Sequence, residues 1–463
     1  MNHQRLERDG GKGWKTALLS FGSAGSLMLA GATGAIANEC ENLSADAQHH
    51  YLPVSAETVH WGYFSQELEP RLTVNSGDVI TIETLTHHAN DDASRMVTGD
   101  PGAESVYAWT EDFKAVDRRG AGPTEPGTYE RGAGEGYGVH ILTGPIYVCG
   151  AEPGDVLEVQ ILDVEPRPSG NPAYEGQTFG SNAAAWWGFH YNDMIEEPAP
   201  REVITIYEVD AAGEQNWASA VYNFRWIPQT DPFGVVHERI DYPGVPVDHN
   251  LTEQNFEVLE DVRIPIRPHF GVIGLAPSEA DVVDSIPPSY FGGNIDNWRI
   301  GAGATMYYPI AVEGGLLSLG DPHAAQGDSE LAGTAIETSL TGLIRVVVHP
   351  QEELPETILE DLNYPLLETD DEFVVHGFSY ANYLDELGET AQQDIYSESS
   401  VDAALRDAFR KMRHFLMTTQ GMSEDEAISL MSVAVDFGIT QVVDGNWGVH
   451  AVIRKDVLTG ADE

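Results

Sequence analysis

The densest group of chemically active side chains lies at residues 320–330, whose sequence is GDPHAAQGDSE. This segment offers three carboxylates, one imidazole and one carboxamide, together with two glycines and a proline. The apolar residues 316–319 before it predict a strand, whose end would aim Asp321 and His323 at one point. Carboxylate oxygen and imidazole nitrogen suit zinc or another divalent ion, which lowers the pKa of bound water to roughly 7. On spacing alone, an acidic turn with a capping aspartate is an equally good interpretation.

Two further polar clusters follow predicted strands. Residues 86–92, THHANDD, come after a strand at 79–85. Adjacent histidines face opposite sides of an extended chain, so we expect only one, His88, to enter a shared site. Residues 291–296, FGGNID, predict a tight turn that presents Asn294 and Asp296. The alternatives are a solvated polar loop for the first cluster and a purely structural turn for the second.

Several histidines and aromatic residues have ordinary structural explanations. His140, His190 and His269 stand singly in Gly- and Pro-rich contexts, where each alone is more often a partly buried core residue than a ligand. Residues 182–190, NAAAWWGFH, could form the aromatic wall of a pocket, although tandem tryptophans more often pack cores or interfaces.

Missing motifs narrow the possible chemistry. A nitrilase-like Cys-Glu-Lys hydrolase needs a free thiol and a lysine. Beyond residue 37 the chain has only Lys114, Lys411 and Lys455, and its two cysteines, Cys40 and Cys149, could form a disulfide or remain separate thiols. The sequence lacks a Ser-Ser-Lys amidase loop, a Gly-x-Ser-x-Gly elbow, a P-loop and a dinucleotide fingerprint. Hydrolysis by a metal-held water is the chemistry that the residues support best.

The elements that must position these groups are mainly β-strands. Alternating apolar residues punctuated by Gly and Pro predict a β-sandwich or barrel. The segments 72–84 and 152–164 each contain a turn that leads into a strand, and further strands are expected at 202–209, 271–275, 305–312, 316–319 and 343–349. Residues 118–138 predict a long, functional loop. Helical spacing at 400–417, a capping box of Ser423 and Glu426, and strands at 439–443 and 448–454 predict an α+β end. We therefore divide the chain into a β-rich catalytic body, 38–350, and an α+β portion, 351–463.

The charge balance excludes some partners. The chain has 24 Lys and Arg against 74 Asp and Glu, a formal net charge of -50. Such a negative field repels nucleic acid and anionic membranes. The acidic residues are scattered along the chain, which indicates a solvated acidic surface suited to salty surroundings.

The N-terminus has the pattern of a signal peptide. A basic region precedes the apolar residues 16–36, and Ala35-Ile36-Ala37 fits the small-x-small cleavage pattern. Without an adjacent arginine pair, the general secretory route is favoured, and an uncleaved anchor is the alternative. We expect residues 1–37 to be removed and the mature protein to be periplasmic or secreted, without stable membrane insertion.

Several segments, taken in order, resemble the acetamidase/formamidase family over residues 50–457. They are 140–155 (HILTGPIYVCGAEPGD), 271–277 (GVIGLAP), 292–296 (GGNID), 320–330, Ala335-Ile336-Glu337 and 438–449. The resemblance implies a homo-oligomer, as a dimer, with a β-rich fold that hydrolyses formamide- or acetamide-like amides to ammonia and a carboxylate. A divalent metal, with zinc as the expected ion, is consistent with it.

Combining the resemblance with the local patterns assigns roles to ten residues. Asp296, Asp321 and His323 match acidic and imidazole positions of the family, and Glu330 and Glu337 match its downstream carboxylates. The expected metal ligands are Asp321, His323, Asp296 and His88; the expected catalytic residues are Glu330, Asp328 and Glu337; and the expected substrate-binding residues are Gln326, Asn294 and His140.

Three departures from the family pattern leave alternatives open. Ser329 stands where the pattern has glycine, so the loop there could be shifted. The export signal is unlike cytosolic nitrogen-scavenging members, and the cluster at 87–92 is typical of only a subset of the family. The alternatives are hydrolysis of another C–N bond on the same fold and a non-catalytic exported protein that binds a small molecule.

Overall fold

A computed structural model describes residues 39–41, 43–44, 46–109, 116, 138–191, 194–196, 201–211, 216–232, 234, 236–240 and 244–459. The chain divides into two compact units, Met1–Leu43 and Ser44–Glu463. The expected signal peptide lies outside the described residues, as does all of the expected loop 118–138 except Gly138. Neither cysteine is a free thiol, because both are disulfide-bonded.

The part of the chain that the structure describes is mainly β, as predicted. Its strands are β1 (His49–Leu52), β2 (Val59–Trp61), β3 (Tyr63–Phe64), β4 (Leu72–Asn75), β5 (Val79–Thr84), β6 (Ile141–Cys149), β7 (Val156–Pro166), β8 (Phe179–Ala184), β9 (Val203–Asp210), β10 (Trp217–Arg225), β11 (Gln229–Thr230), β12 (Val236–His237), β13 (Ile264–Pro265), β14 (His269–Gly274), β15 (Val283–Asp284), β16 (Gly292–Asn294), β17 (Thr305–Pro309), β18 (Leu317–Ala325), β19 (Ile336–Glu337), β20 (Leu340–His349), β21 (Leu366–Glu368), β22 (Glu372–Phe378), β23 (Val435–Gln441) and β24 (Gly448–Arg454).

Two large sheets contain most of these strands. One sheet has nine strands in the order β1-β5-β20-β7-β17-β21-β22-β24-β23. The other has eleven strands, with a path β13-β10-β9-β8-β19-β18-β14-β16 and with β6 joining β18, β2 and β4. One apolar cluster contains Ile82 and Val159 of the nine-stranded sheet together with Phe270 and Leu319 of the eleven-stranded sheet. The sheets therefore pack face to face around a shared core, as in a β-sandwich.

The helices are concentrated in the C-terminal part. They are α1 (Ala93–Met96), α2 (Pro101–Tyr107), α3 (Tyr383–Leu387), α4 (Ala391–Glu398), α5 (Val401–Gln420), α6 (Glu424–Ala434) and α7 (Lys455–Thr459). The predicted capping box at the start of α6 is present, with Ser423 and Glu426 bonding reciprocally. None of the helices in the described ranges is long and apolar enough to cross a membrane.

The division of the chain near residue 350 stays a prediction. The nine-stranded sheet contains strands from both sides of that boundary, because β17 pairs with β21. A second apolar cluster joins Tyr307 of β17 to Met412 and Phe415 of α5. The C-terminal helices thus pack on a sheet that the body also builds.

The segment GDPHAAQGDSE differs from its expected shape. We predicted a strand ending at residue 319 and then a turn, but β18 continues through Ala325, and all of its residues are buried. Gly320 and Pro322 suggested a turn, yet both pair with β14 in antiparallel register. Asp321 and His323 consequently lie within a buried central strand.

Candidate functional site

Ten ionisable side chains that are distant in sequence meet in the interior of the protein. Each is at most 7% exposed. The set comprises five carboxylates and five imidazoles, namely Asp296, Asp321, Glu330, Glu337, Asp444, His87, His88, His140, His269 and His323. We call it the buried cluster.

Strand pairing explains why members of the buried cluster meet. β18 places His323 opposite His269 of β14 and, on its other side, opposite Glu337 of β19. A register irregularity follows His323 on the β19 side. Such bulges redirect side chains and are frequent next to active sites.

Asp321 and His323 form the centre of the buried cluster. His323 Nε2 lies 3.2 Å from Asp321 Oδ2 and 3.2 Å from Glu337 Oε1. Asp321 Oδ1 lies 3.5 Å from His87 Nδ1, and Asp321 Oδ2 lies 3.8 Å from His140 Nε2. One carboxylate therefore faces three imidazoles.

Three carboxylates crowd together beside this centre. Ligand atoms of Asp296, Glu330 and Asp444 all lie within 4.8 Å of one another. Burial, reinforced by neighbouring carboxylates, raises the pKa of Asp296 to about 7 and raises the pKa values of Glu330 and Asp444 well above their usual range. Carboxyl groups this close cannot all be ionised unless a cation or a shared proton lies between them.

The protonation of His323 follows from its hydrogen-bond partners. Gln326 Nε2 donates to the Asp296 carbonyl at 2.6 Å, which fixes Gln326 Oε1 as an acceptor. His323 Nδ1 lies 3.2 Å from that oxygen and is assigned as its donor. Burial alone would lower the pKa of His323, but Glu337 and Asp321 raise it well above its usual range. His323 Nε2, which faces both carboxylates, therefore carries a proton unless a metal cation takes its place.

Two of the other imidazoles, His87 and His140, are suited to donate nitrogen lone pairs, whereas both ring nitrogens of His269 already face protein partners. Burial lowers the pKa of His87 well below its usual range, lowers that of His140, and lowers that of His269 to about 3. Burial alone would raise the pKa of Asp321, but the protonated His323 beside it holds that pKa well below its usual range. Neutral imidazoles around an ionised carboxylate are the protonation states that bind metal.

The donor set fits a divalent metal. Among the described residues, several buried atoms of the cluster lack a hydrogen-bond partner, including His87 Nδ1, Asp296 Oδ1, Asp321 Oδ1, His323 Nε2 and Glu337 Oε2. Such atoms are costly to bury unless something compensates them. Mixed imidazole and carboxylate ligands suit zinc, manganese or iron and do not distinguish between them.

His88 is oriented toward the cluster by a buried chain of hydrogen bonds. Its Nδ1 lies 2.9 Å from Asp91 Oδ2, which also accepts from Ser181 Oγ at 2.6 Å. His88 Nε2 is thereby left without a hydrogen-bond partner in the described part of the chain. We expected adjacent histidines to point apart, but the chain here turns into a 3-10 segment, Ala89–Asp92, and the rings of His87 and His88 lie 4.6 Å apart.

Strained backbone and one glycine shape the cluster. Asp296, Asp321 and Glu330 have φ values of 52°, 49° and 48°, a conformation that is costly for residues with a side chain and is concentrated at functional sites. A Cβ on Gly271 would lie 2.4 Å from Asp296 Oδ1 and 2.4 Å from Asp321 Oδ2. The missing side chain leaves the space in which these two carboxylates meet.

The structure brings together most, but not all, of the predicted site residues. Asp328 is exposed and accepts a hydrogen bond from Trp298, outside the buried cluster. Asn294 is buried two residues before Asp296, and within the described ranges its side-chain oxygen has no hydrogen-bond partner. Gln326 has both amide atoms engaged by His269, His323 and Asp296. His140, expected to bind substrate, lies beside Asp321.

Sequence reasoning missed three members of the cluster. His87 was set aside in favour of its neighbour, and His269 was treated as a core residue. Asp444 belongs to the QVVD segment and received no role, although the family resemblance at 438–449 could have indicated it. His269 carried no local signal, because only the pairing of β14 with β18 places it next to His323.

The chain matches proteins of one family. The sequence profile described as the Acetamidase/Formamidase family matches residues 137–285 and 279–457. An acetamidase of Mycolicibacterium smegmatis is 31% identical over 214 residues, which are 42% of this chain and 49% of that protein. A formamidase of Methylophilus methylotrophus is 26% identical over 208 residues, which are 42% of this chain and 47% of that protein. The chain therefore spans about half the length of the curated relatives it matches.

Solved structures share the fold. A predicted acetamidase/formamidase from Thermoanaerobacter tengcongensis superposes with a TM-score of 0.56 at 22% identity, covering 89% of this chain and 98% of that one. An acetamidase from Bacillus halodurans superposes with a TM-score of 0.57 at 21% identity, covering 89% of this chain and 100% of that one.

Proposed function

Because the chain belongs to the acetamidase/formamidase family, we propose that it hydrolyses short linear amides to ammonia and a carboxylate, using a water activated at a divalent-metal site. The observation that supports this most strongly is the convergence of Asp321, His323 and Glu337 with unpartnered atoms facing one another. The acetamidase and formamidase names of the relatives support the choice of substrate.

The buried cluster contains the residues that would hold the metal. We assign Asp321 and His323 as central ligands, with Asp296 and His88 as the further ligands expected from the sequence, and add His87 and His140 because both face Asp321. A bound divalent ion would polarise the amide carbonyl and lower the pKa of coordinated water to roughly 7. Zinc is our preferred ion.

Glu330 is the proposed proton carrier. It is buried next to Asp296 and Asp444, and burial raises its pKa well above the usual range. A carboxyl group with a raised pKa can accept a proton from water and deliver it to the leaving nitrogen near neutral pH. Glu337 faces His323 and would stabilise it. Asn294, with its free side-chain oxygen, remains the proposed contact for the amide N–H.

The test is ammonia release by the purified protein. Wild type should release ammonia from formamide or acetamide. Glu330→Gln should lower kcat by about 10²- to 10⁴-fold while it retains bound metal. Asp321→Asn should lose metal and activity together. A panel that adds ureas and formylated amines tests the alternative C–N bonds. Ligand binding without any turnover would instead indicate a non-catalytic binding protein.

Export and assembly are separate proposals based on the sequence. We propose that residues 1–37 direct secretion and are removed. N-terminal sequencing of protein recovered outside the cytoplasm should then show a chain that starts at Asn38. We also propose a homodimer, which sedimentation of the purified protein would test.

A further inference from the structure

The buried cluster is almost entirely covered by the surrounding protein. Its most exposed members are Glu330 and Asp444, each at 7%, whereas His323 is 0% and Asp296 is 2% exposed. Gly327, between β18 and β19 on the chain, is exposed. Among the described residues, the part of the cluster with the largest exposed fraction is therefore the one that Glu330 and Asp444 form.

Apolar side chains lie on and beside the segments that carry these two carboxylates. Leu331 follows Glu330 directly and is 51% exposed. Phe189 N donates to the Leu331 carbonyl at 2.9 Å, and its half-buried ring meets the half-buried ring of Trp447 edge to face, with centroids 5.5 Å apart. Trp447 is three residues beyond Asp444. We call Phe189, Leu331 and Trp447 the apolar rim.

The apolar rim differs from another tryptophan near the site. Trp298, two residues after Asp296, has guanidinium groups of Arg267 and Arg299 over its ring at 4.0 and 4.2 Å, and it donates to Asp328 at 2.8 Å. Its ring is already covered by cations. The rings of the apolar rim have no such cation over them in the described structure, so they can bury the apolar part of a ligand.

We propose, resting on the amide hydrolysis proposed above, that the preferred substrates carry an aromatic or long apolar acyl group. Formamide and acetamide carry at most one methyl group, which offers little apolar surface to the rim. In this proposal the carbonyl of a phenylacetyl group lies among the cluster and its ring packs against Phe189 and Trp447. Edge-to-face aromatic pairs of this kind are common in binding sites.

The reaction with phenylacetamide is a simple hydrolysis. The oxygen of water bonds to the carbonyl carbon, the C–N bond breaks, and the leaving nitrogen takes a proton. The second proton of water also passes to the nitrogen, so the products are phenylacetate and ammonium, and no oxidant or reductant is required.

The experiment compares phenylacetamide with acetamide in the mature protein. Wild type should show a higher kcat/KM for phenylacetamide. Trp447→Ala and Phe189→Leu should each lower that value by about 10-fold or more, mainly through KM, and should change acetamide turnover little. Phe409→Ala is the matched control, because this apolar residue of α5 is 37% exposed and lies outside the rim. Thermal denaturation checks that each variant is folded.

Three outcomes would overturn the inference. If acetamide is turned over faster than phenylacetamide, and if folded rim variants turn over both substrates as fast as wild type does, the preference for apolar acyl groups is wrong. Amide hydrolysis would still stand. A parallel loss for both substrates, with a change in sedimentation, would make the rim a contact between copies. Release of ammonia from no amide contradicts the proposed function itself.

Discussion

Substitution of Gly271 by alanine tests the geometry of the buried cluster. The added Cβ would lie 2.4 Å from Asp296 Oδ1, 2.4 Å from Asp321 Oδ2 and 2.7 Å from His323 Cε1, whereas ordinary contacts begin at 3.4 Å. Each carboxylate oxygen must therefore move by about 3.4 − 2.4 = 1.0 Å. A misplacement of about 1 Å in catalytic groups can cost roughly 100-fold in rate.

The assay measures ammonia release, bound metal by elemental analysis, and the melting temperature. We expect Gly271→Ala to lose about 100-fold in kcat/KM and most of its bound metal while it remains folded. Gly327→Ala is the control, since nothing lies within 4 Å of its added Cβ and its backbone needs no positive φ. Wild-type activity and metal content in Gly271→Ala would refute the assigned positions of Asp296 and Asp321.

Three other predictions concern stability. Lys411→Met should destabilise the protein by about 3–5 kcal/mol in urea denaturation, since it removes the ammonium group that lies 2.6 Å from the buried Asp407. Arg406→Met, in an exposed pair, should change stability little. Burial raises the pKa of Asp284 from 3.8 to about 7, so between these values the folded protein holds a proton that the unfolded chain has lost. Stability should therefore fall by up to roughly 1.4 kcal/mol per pH unit as pH rises through that window, and Asp284→Asn should flatten the fall; an unchanged slope would contradict the buried protonated state. Ser329→Gly should raise stability by roughly 1 kcal/mol, because Ser329 has a φ of 79°, and a lower melting temperature would contradict this strain.

Much of the fold could be predicted from the sequence, because the sequence signals for it are local. The alternation around β5 and β7 and the capping box of Ser423 and Glu426 depend on neighbours within a few residues, and both are present. The continuation of β18 beyond residue 319 could not be predicted, because Gly320 and Pro322 disfavour a strand locally. Pairing with β14, which is distant in sequence, stabilises the strand there.

The candidate site was accessible where its residues are dense in sequence. Asp321, His323 and Glu330 stand out within eleven residues, and the structure brings them together. Asp328 belongs to the same dense segment, yet it faces solvent, since density does not determine direction. His269 has no polar neighbour in its strand and joins the cluster only through long-range pairing.

The family pattern explains one local anomaly. The pattern has glycine where this chain has Ser329, and the backbone there adopts a left-handed conformation that glycine favours. Two backbone hydrogen bonds hold this loop, because Ser329 N donates to the Thr440 carbonyl at 2.9 Å and Val442 N donates to the Ser329 carbonyl at 3.2 Å. These bonds bring the loop that carries Glu330 to the segment that carries Asp444.

The most direct test of a metal-assisted amidase is ammonia release from acetamide and phenylacetamide before and after removal of metal. The purified mature protein should contain a divalent metal, lose its activity when a chelator removes that metal, and regain it when zinc is added back. Full activity in protein shown by elemental analysis to be free of metal would contradict the account.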